Sequence, residues 1–133
     1  MLELVDLDKG LSKEDYERVY PGLEVRMGES QRAARAARVP VVILFEGWEA
    51  SGKGTTINRL ALALDPRGFK VHTILGPTET ERLYPWLWRF WNLLPPAGSF
   101  AIFDHSWYRR VLGDRIEEEV SEQSWKHAYE QIR

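Results

Sequence analysis

Residues 39–54 read VPVVILFEGWEASGKG. The run Val39–Phe45 is apolar and rich in β-branched residues, the composition of a buried strand. It passes into Gly47-x-x-x-x-Gly52-Lys53, and the segment TTINRLALAL that follows carries apolar residues at 57, 60, 61 and 64, a helical period. Strand, glycine loop and helix form the context in which this pattern has a mechanism. Glycines let successive backbone N–H groups turn inward around an anion. The helix N-terminus adds partial positive charge and Lys53 a full one. Gly47, Ala50, Ser51, Gly52, Lys53, Gly54 and Thr55 are therefore expected to line a phosphate site. A lysine at the positive end of a helix is disfavoured without an anion to face it, which argues against a turn that binds nothing. The Ser or Thr that usually follows the lysine and ligates Mg²⁺ is Gly54 here. An acid within the loop, Glu49, is the better candidate to share that work than Thr55 or Thr56.

Downstream, Asp65-Pro66-Arg67-Gly68 reads as a turn and Phe69–Leu75 as a second strand. Ser99–Phe103 reads as a third strand, with Asp104 at its carboxyl end. Ligands of an open parallel sheet collect at the carboxyl ends of its strands, so Asp104 and the glycine loop should share an edge. An acid there is what a phosphate-loop enzyme uses to hold Mg²⁺ beside phosphates. Asp104 is thus a metal candidate, against the alternative that it caps the helix of HSWYRR. Arg109 and Arg110 follow within reach of phosphate.

Ser12 followed by Lys13, Glu14 and Asp15 reads as a capped helix start after a loose leader over residues 1–11. That helix should reach about Ala37, kinked or broken at Pro21-Gly22, with Tyr16, Val19, Tyr20, Leu23 and Met27 as its apolar face. Arg32, Arg35 and Arg38 form a basic stripe, read as a solvated face. Thr78 or Thr80 should cap a helix ETERLYPWLWRFWNLL, kinked at Pro85, with Leu87, Phe90, Trp91 and Leu94 as its core side. Arg89, embedded among aromatics, either snorkels or points into a polar site. Residues 121–133 read as a final helix capped by Ser121.

The chain has 133 residues, enough for one domain, and 44% hydrophobic content supports a packed core. A net charge of −2 gives no global pull toward nucleic acid or membrane. No cysteine is present, which removes disulfides and thiolate metal sites. No apolar run is long enough to span a bilayer, and MLELVDLDKG lacks a signal-peptide core, so a cytoplasmic protein is expected.

Three ordered segments, GWEASGKGTT, PTETERLYPWLWRFWNLLPPAG and FAIFDHSWYRRVLGDR, resemble the family-2 polyphosphate kinases. Within that family the likeness is greatest to the second domain of the polyphosphate:AMP phosphotransferases, and it covers about residues 5–133. The resemblance implies an α/β phosphate-loop kinase fold and Mg²⁺-dependent phosphoryl transfer between inorganic polyphosphate and an adenine nucleotide, AMP or ADP. It implies catalytic roles for Glu49, Lys53, Asp104 and Arg110, phosphate or nucleotide contact by Arg89, and Mg²⁺ contact by Glu49 and Asp104. Phosphoryl transfer needs alignment and charge neutralisation more than covalent help, and these residue types supply both.

The chain departs from the family pattern at several positions. His105 stands where the family has arginine, Arg109 where it has Gly or Asn, and Glu49 where it usually has Asp. The last moves a carboxylate by about 1.5 Å. The family domain also continues past residue 133 with further strands and a basic lid. The expected organisation is an N-terminal leader and helix over 1–38 and an incomplete phosphate-loop kinase core over 39–133, with about three strands. An exposed flank would favour self-association or a complementing chain. Two other readings stay open: a degenerate phosphate-binding module without turnover, and another phosphate-loop nucleotide kinase. His105, Arg109 and the missing lid favour the first of these; LWRFW and DHSWYRR argue against the second.

Overall fold

The computed structural model describes residues 9–133, so all but the end of the expected leader lies outside the described residues. Three parallel strands form the sheet: β1 (Val41–Phe45), β2 (Phe69–Thr73) and β3 (Phe100–Asp104), in the spatial order β1-β3-β2. Helix α2 (Lys53–Ala63) carries the chain from β1 to β2 and leaves the central slot for β3. This order sets the carboxyl ends of β1 and β3 side by side, with Phe45 opposite Asp104.

The central strand explains the core. Phe100, Ala101, Ile102 and Phe103 are all buried. Side chains alternate across a strand, so Phe100 and Ile102 pack with Ile57 and Leu64 on one face, against Met27 and Ala34 of α1 (Lys13–Ala36). Ala101 and Phe103 face the other way and pack with Ile74, Phe90, Trp86 and Trp107. A strand covered on both faces reads as a continuous apolar run, which is how SFAIF looks. The outer edges of β1 and β2 have no strand partner among the described residues, and Val42 and Val71 are exposed.

Helix α1 begins where expected: the Ser12 hydroxyl accepts the Asp15 N–H at 3.0 Å. It does not break at Pro21 but runs unbroken to Ala36. Neighbouring residues 21–23 are exposed, so water can satisfy the Glu17 carbonyl that proline leaves unpaired. Its inward face differs from expectation. Val19 and Leu23 are exposed, whereas Tyr16, Tyr20, Met27, Gln31 and Ala34 turn inward.

The expected helix over 79–94 does not form as one piece. Tyr84, preceding Pro85, is extended (φ −113°, ψ 162°), as a residue before proline tends to be. What remains is a single turn at Glu81–Leu83 and a short α3 (Trp88–Trp91). Thr78, not Thr80, caps the first turn: its hydroxyl accepts the Glu81 N–H while the Glu81 carboxylate accepts the Thr78 N–H at 2.7 Å. With the helical wheel broken, Trp91 and Leu94 are exposed, and Trp86 and Leu93 pack beside Leu87 and Phe90 instead.

After β3 the chain makes a turn of 3₁₀ helix (Trp107–Val111), the short α4 (Gly113–Ile116) and α5 (Glu122–Ile132), capped by Ser121 as expected. Trp86 Nε1 donates to Gln131 Oε1 at 2.6 Å and ties α5 to the aromatic face.

Candidate phosphate and metal site

The glycine loop is held in a conformation that needs its sequence. Gly52, at φ 85°, is left-handed and is the residue from which α2 starts. It brings no side chain to the helix N-terminus, so the first N–H groups of α2 stay open to a ligand. Ala50 is also left-handed (φ 59°), a conformation that costs energy for any residue with a Cβ. Lys53 Nζ folds back and donates to the carbonyls of Gly47 and Trp48, each at 2.8 Å.

Ala50, Ser51, Gly52, Lys53, Gly54 and Thr55 form one wall of an open cup of about 440 Å³, and Asp104 and His105 form the other. The shared edge expected from the sheet order is therefore present. Asp104 Oδ1 is buried and has no hydrogen-bond partner. A carboxylate oxygen left so needs a cation or a donor. Among the described residues no three His, Cys, Asp or Glu converge on one point. A single carboxylate is enough for a divalent cation whose remaining ligands come from water and substrate phosphates. The unpartnered oxygen fits such an ion.

Glu49 and Asp104 line different cavities. Glu49 lines a second cavity, about 630 Å³, with Glu46, Trp48, His105, Arg109 and Glu117. The two spaces share only His105.

Arg89 points into a polar site, the second of the two expectations. It donates to the Leu75 carbonyl at 2.8 Å and lies 3.4 Å from Glu81. The Glu81 carboxyl is held below its ordinary range, first by the Thr78 backbone N–H and also by Arg89. Arg89 meets Arg110, Arg82 and Arg109 around a cavity of about 300 Å³. Arg110 lies over the Trp86 ring, 5.6 Å from its centre. The Nε of Arg110 is buried without a hydrogen-bond partner, whereas that of Arg89 has only its ion-pair contact with Glu81. The unpaired Arg110 donor beside an aromatic ring suits an anion, in a cavity that Glu81, Asp114 and Glu119 also line. Arg110 is thus grouped with Arg89 and not with Lys53. Arg109 is engaged within the protein: Nε donates to Asp114 at 2.8 Å, and Glu117 and Glu119 lie at 3.5 and 3.8 Å. The Asp114 contact, above the others, raises its pKa.

The cap of the turn after β3 is Ser106, whose hydroxyl accepts the Tyr108 N–H, so Asp104 is not the cap. One residue escaped the sequence reading. Glu46 directly follows β1 and Asp104 closes β3; in each case an acid ends an apolar run, and the same signal marks both.

A parallel sheet bearing a glycine loop, a loop lysine and a strand-end acid defines a phosphate-loop α/β domain. The family profile of Polyphosphate kinase 2 (PPK2) matches residues 10–133, and the chain belongs to that family. A polyphosphate:AMP phosphotransferase from Pseudomonas syringae pv. tomato is 46% identical over 132 residues, 99% of this chain and 26% of the relative. A GDP-polyphosphate phosphotransferase from Mycolicibacterium smegmatis is 38% identical over 109 residues, 82% of this chain and 38% of the relative. A crystal structure described as polyphosphate kinase 2 from Pseudomonas aeruginosa PA01 superposes with a TM-score of 0.92 at 41% identity, over 98% of this chain and 29% of that one. The chain spans about a quarter of the length of the Pseudomonas relatives.

Proposed function

We propose that this chain carries the phosphate-handling core of a phosphotransferase that moves a phosphoryl group between inorganic polyphosphate and AMP or ADP with Mg²⁺. The observation that carries the reading is the unpartnered, buried Oδ1 of Asp104 on the wall of the cup formed by the glycine loop. The open N–H groups of α2 and the Lys53 ammonium bind one phosphate segment. Asp104 holds the metal, which when bound neutralises phosphate charge. Arg89 and Arg110 hold a second anionic group in the cavity they line together, where the free Arg110 Nε donor would be paired. Glu49, which lines the second cavity, is assigned to orienting the groups that enter there. The arrangement supplies positioning and charge compensation, which is most of what phosphoryl transfer asks of a protein. The family names of the relatives support the substrate class.

The test is formation of ADP and ATP from AMP, polyphosphate and Mg²⁺ by the purified chain, with Lys53→Ala as control. Product that disappears in the control supports the reading. Binding of polyphosphate without product from a folded sample favours the second reading, a phosphate-binding module without turnover. One observation favours that alternative: the ring of His105 is turned toward Glu46, with Nδ1 3.3 Å from Oε2, where the resemblance expects a permanent cation.

A further inference from the structure

Glu46 sits at the carboxyl end of β1 with both carboxylate oxygens engaged. Oε1 accepts the Ser106 backbone N–H at 2.7 Å and the Ser106 hydroxyl at 2.5 Å. Oε2 lies 3.3 Å from His105 Nδ1. Ser106 is fully buried. One residue earlier, Phe45 pairs with Asp104, and the Phe45 carbonyl accepts the His105 N–H at 3.0 Å. The two residues that follow Asp104 are therefore tied, one after the other, to the last residue of β1 and the residue after it.

This tie has a strained turn to hold. His105 is left-handed at φ 62°, a conformation that costs a residue other than glycine on the order of 1 kcal/mol. The hydrogen bonds to the Glu46 carboxylate are charge-assisted and so are the strongest contacts in the turn. Asp104, by contrast, has no contact that fixes Oδ1. Its backbone restricts which rotamers the side chain can adopt, and Glu46 holds the backbone immediately after it.

We infer that Glu46 is a positioning residue for Asp104: it fixes the turn after β3 so that the Asp104 carboxylate faces the glycine loop. Its own oxygens are taken up by Ser106 and His105, so it acts through Asp104 and not as a metal ligand. Outer partners of this kind are worth about 10- to 100-fold in metal affinity. The inference rests on the assignment of Asp104 to the metal.

The experiment is a Mn²⁺ titration of the chain in the presence of ADP, with free Mn²⁺ read by electron paramagnetic resonance and folding checked by circular dichroism. Asp104→Asn tests the metal assignment; Mn²⁺ affinity unchanged in that variant overturns the assignment and the inference with it. If Asp104→Asn weakens binding, Glu46→Ala should weaken it at least about tenfold. Glu46→Gln, which keeps the Oε1 acceptor for both Ser106 donors, should stay within about threefold of the parent. In the Asp104→Asn background, Glu46→Ala should add nothing, because its effect passes through the lost carboxylate. Parent-like affinity in folded Glu46→Ala, or additive losses in the double variant, would overturn the positioning role while leaving Asp104 as a ligand. Should Glu46→Ala not fold, Glu46→Asp keeps the charge but withdraws it from Ser106, and the same loss is expected.

Discussion

The Lys53 ammonium lies 2.8 Å from the Gly47 carbonyl oxygen, so the loop's one cation is held by the loop's own backbone. A second carbonyl, that of Trp48, completes the hold. Two neutral carbonyls are poor partners for a full charge beside the positive end of α2. A phosphate offers a better one. Lys53→Ala should therefore weaken binding of tripolyphosphate or ADP by about 10- to 100-fold, the worth of one charge-assisted hydrogen bond. The thermal midpoint should hardly move, because neither carbonyl is left buried without water. Calorimetric titration checks the first statement and a melting curve the second. Unchanged affinity would remove the glycine loop from the phosphate site.

Gln31 is the polar residue on which the helical layer depends. It is buried on α1, and its amide brackets the backbone of Asp65: Oε1 accepts the Asp65 N–H at 2.7 Å and Nε2 donates to the Asp65 carbonyl at 3.1 Å. This fixes the exit of α2 against α1. Gln31→Ala should cost about 1–3 kcal/mol, since the partly buried Asp65 N–H loses its partner while the Asp65 carbonyl keeps the Gly68 N–H. Gln31→Leu should recover little of it, because volume does not replace the hydrogen bonds. Urea denaturation of both variants separates the two; full recovery by leucine would assign Gln31 to packing alone.

Gly98 marks a close approach of backbone to backbone. Its φ is +80°, and a Cβ added there would lie 3.1 Å from the Arg35 carbonyl oxygen and 3.2 Å from the Arg35 Cα. Neither atom is the end of a movable side chain. Gly98→Ala should destabilise the chain by on the order of 1–3 kcal/mol through strain and crowding together. Denaturant midpoints compare it with Gly10→Ala, where an added Cβ meets nothing within 4 Å.

The local signals in the sequence were strongest where one element decides its own conformation. Ser12 and Ser121 cap the helices they precede, and the loop from Gly47 to Lys53 joins strand to helix as its pattern requires. Asp104 reached the loop because a crossover through α2 puts β3 next to β1. What could not be read depended on contacts between distant segments. Gln31 looks like a surface residue until Asp65, 34 positions away, is brought to it. Trp91 looks like core on a helical wheel, but Pro85 leaves too short a helix for the wheel to apply. Glu46 carried the same mark as Asp104, yet its partners Ser106 and His105 lie some 60 residues on. The pairing of Arg89 with Arg110 likewise exists only once the 75–90 segment has folded over the turn after β3.

His72 gives the fold a sensitivity to mild acid. Its ring packs on Phe103 of the central strand, 5.2 Å between centres. Burial, and then the charge of Lys70, push its imidazole below the ordinary value near 6.5. The folded chain therefore binds a proton there less readily than the unfolded chain. Stability from this source is fully present above pH ~6.5 and is lost as the pH falls through the lower folded value. The Asp65 carboxyl has the same sign in a separate window. Hydrogen bonds from the Arg67 side chain and backbone hold it at about 2, so its contribution is present above the usual carboxylate value near 3.9 and fades only toward pH 2. His72→Phe keeps the aromatic contact and removes the titration. Denaturation free energies measured from pH 7.5 down to 5 should fall for the parent chain and stay flatter for His72→Phe. An identical fall in both would place the acid sensitivity elsewhere in the molecule.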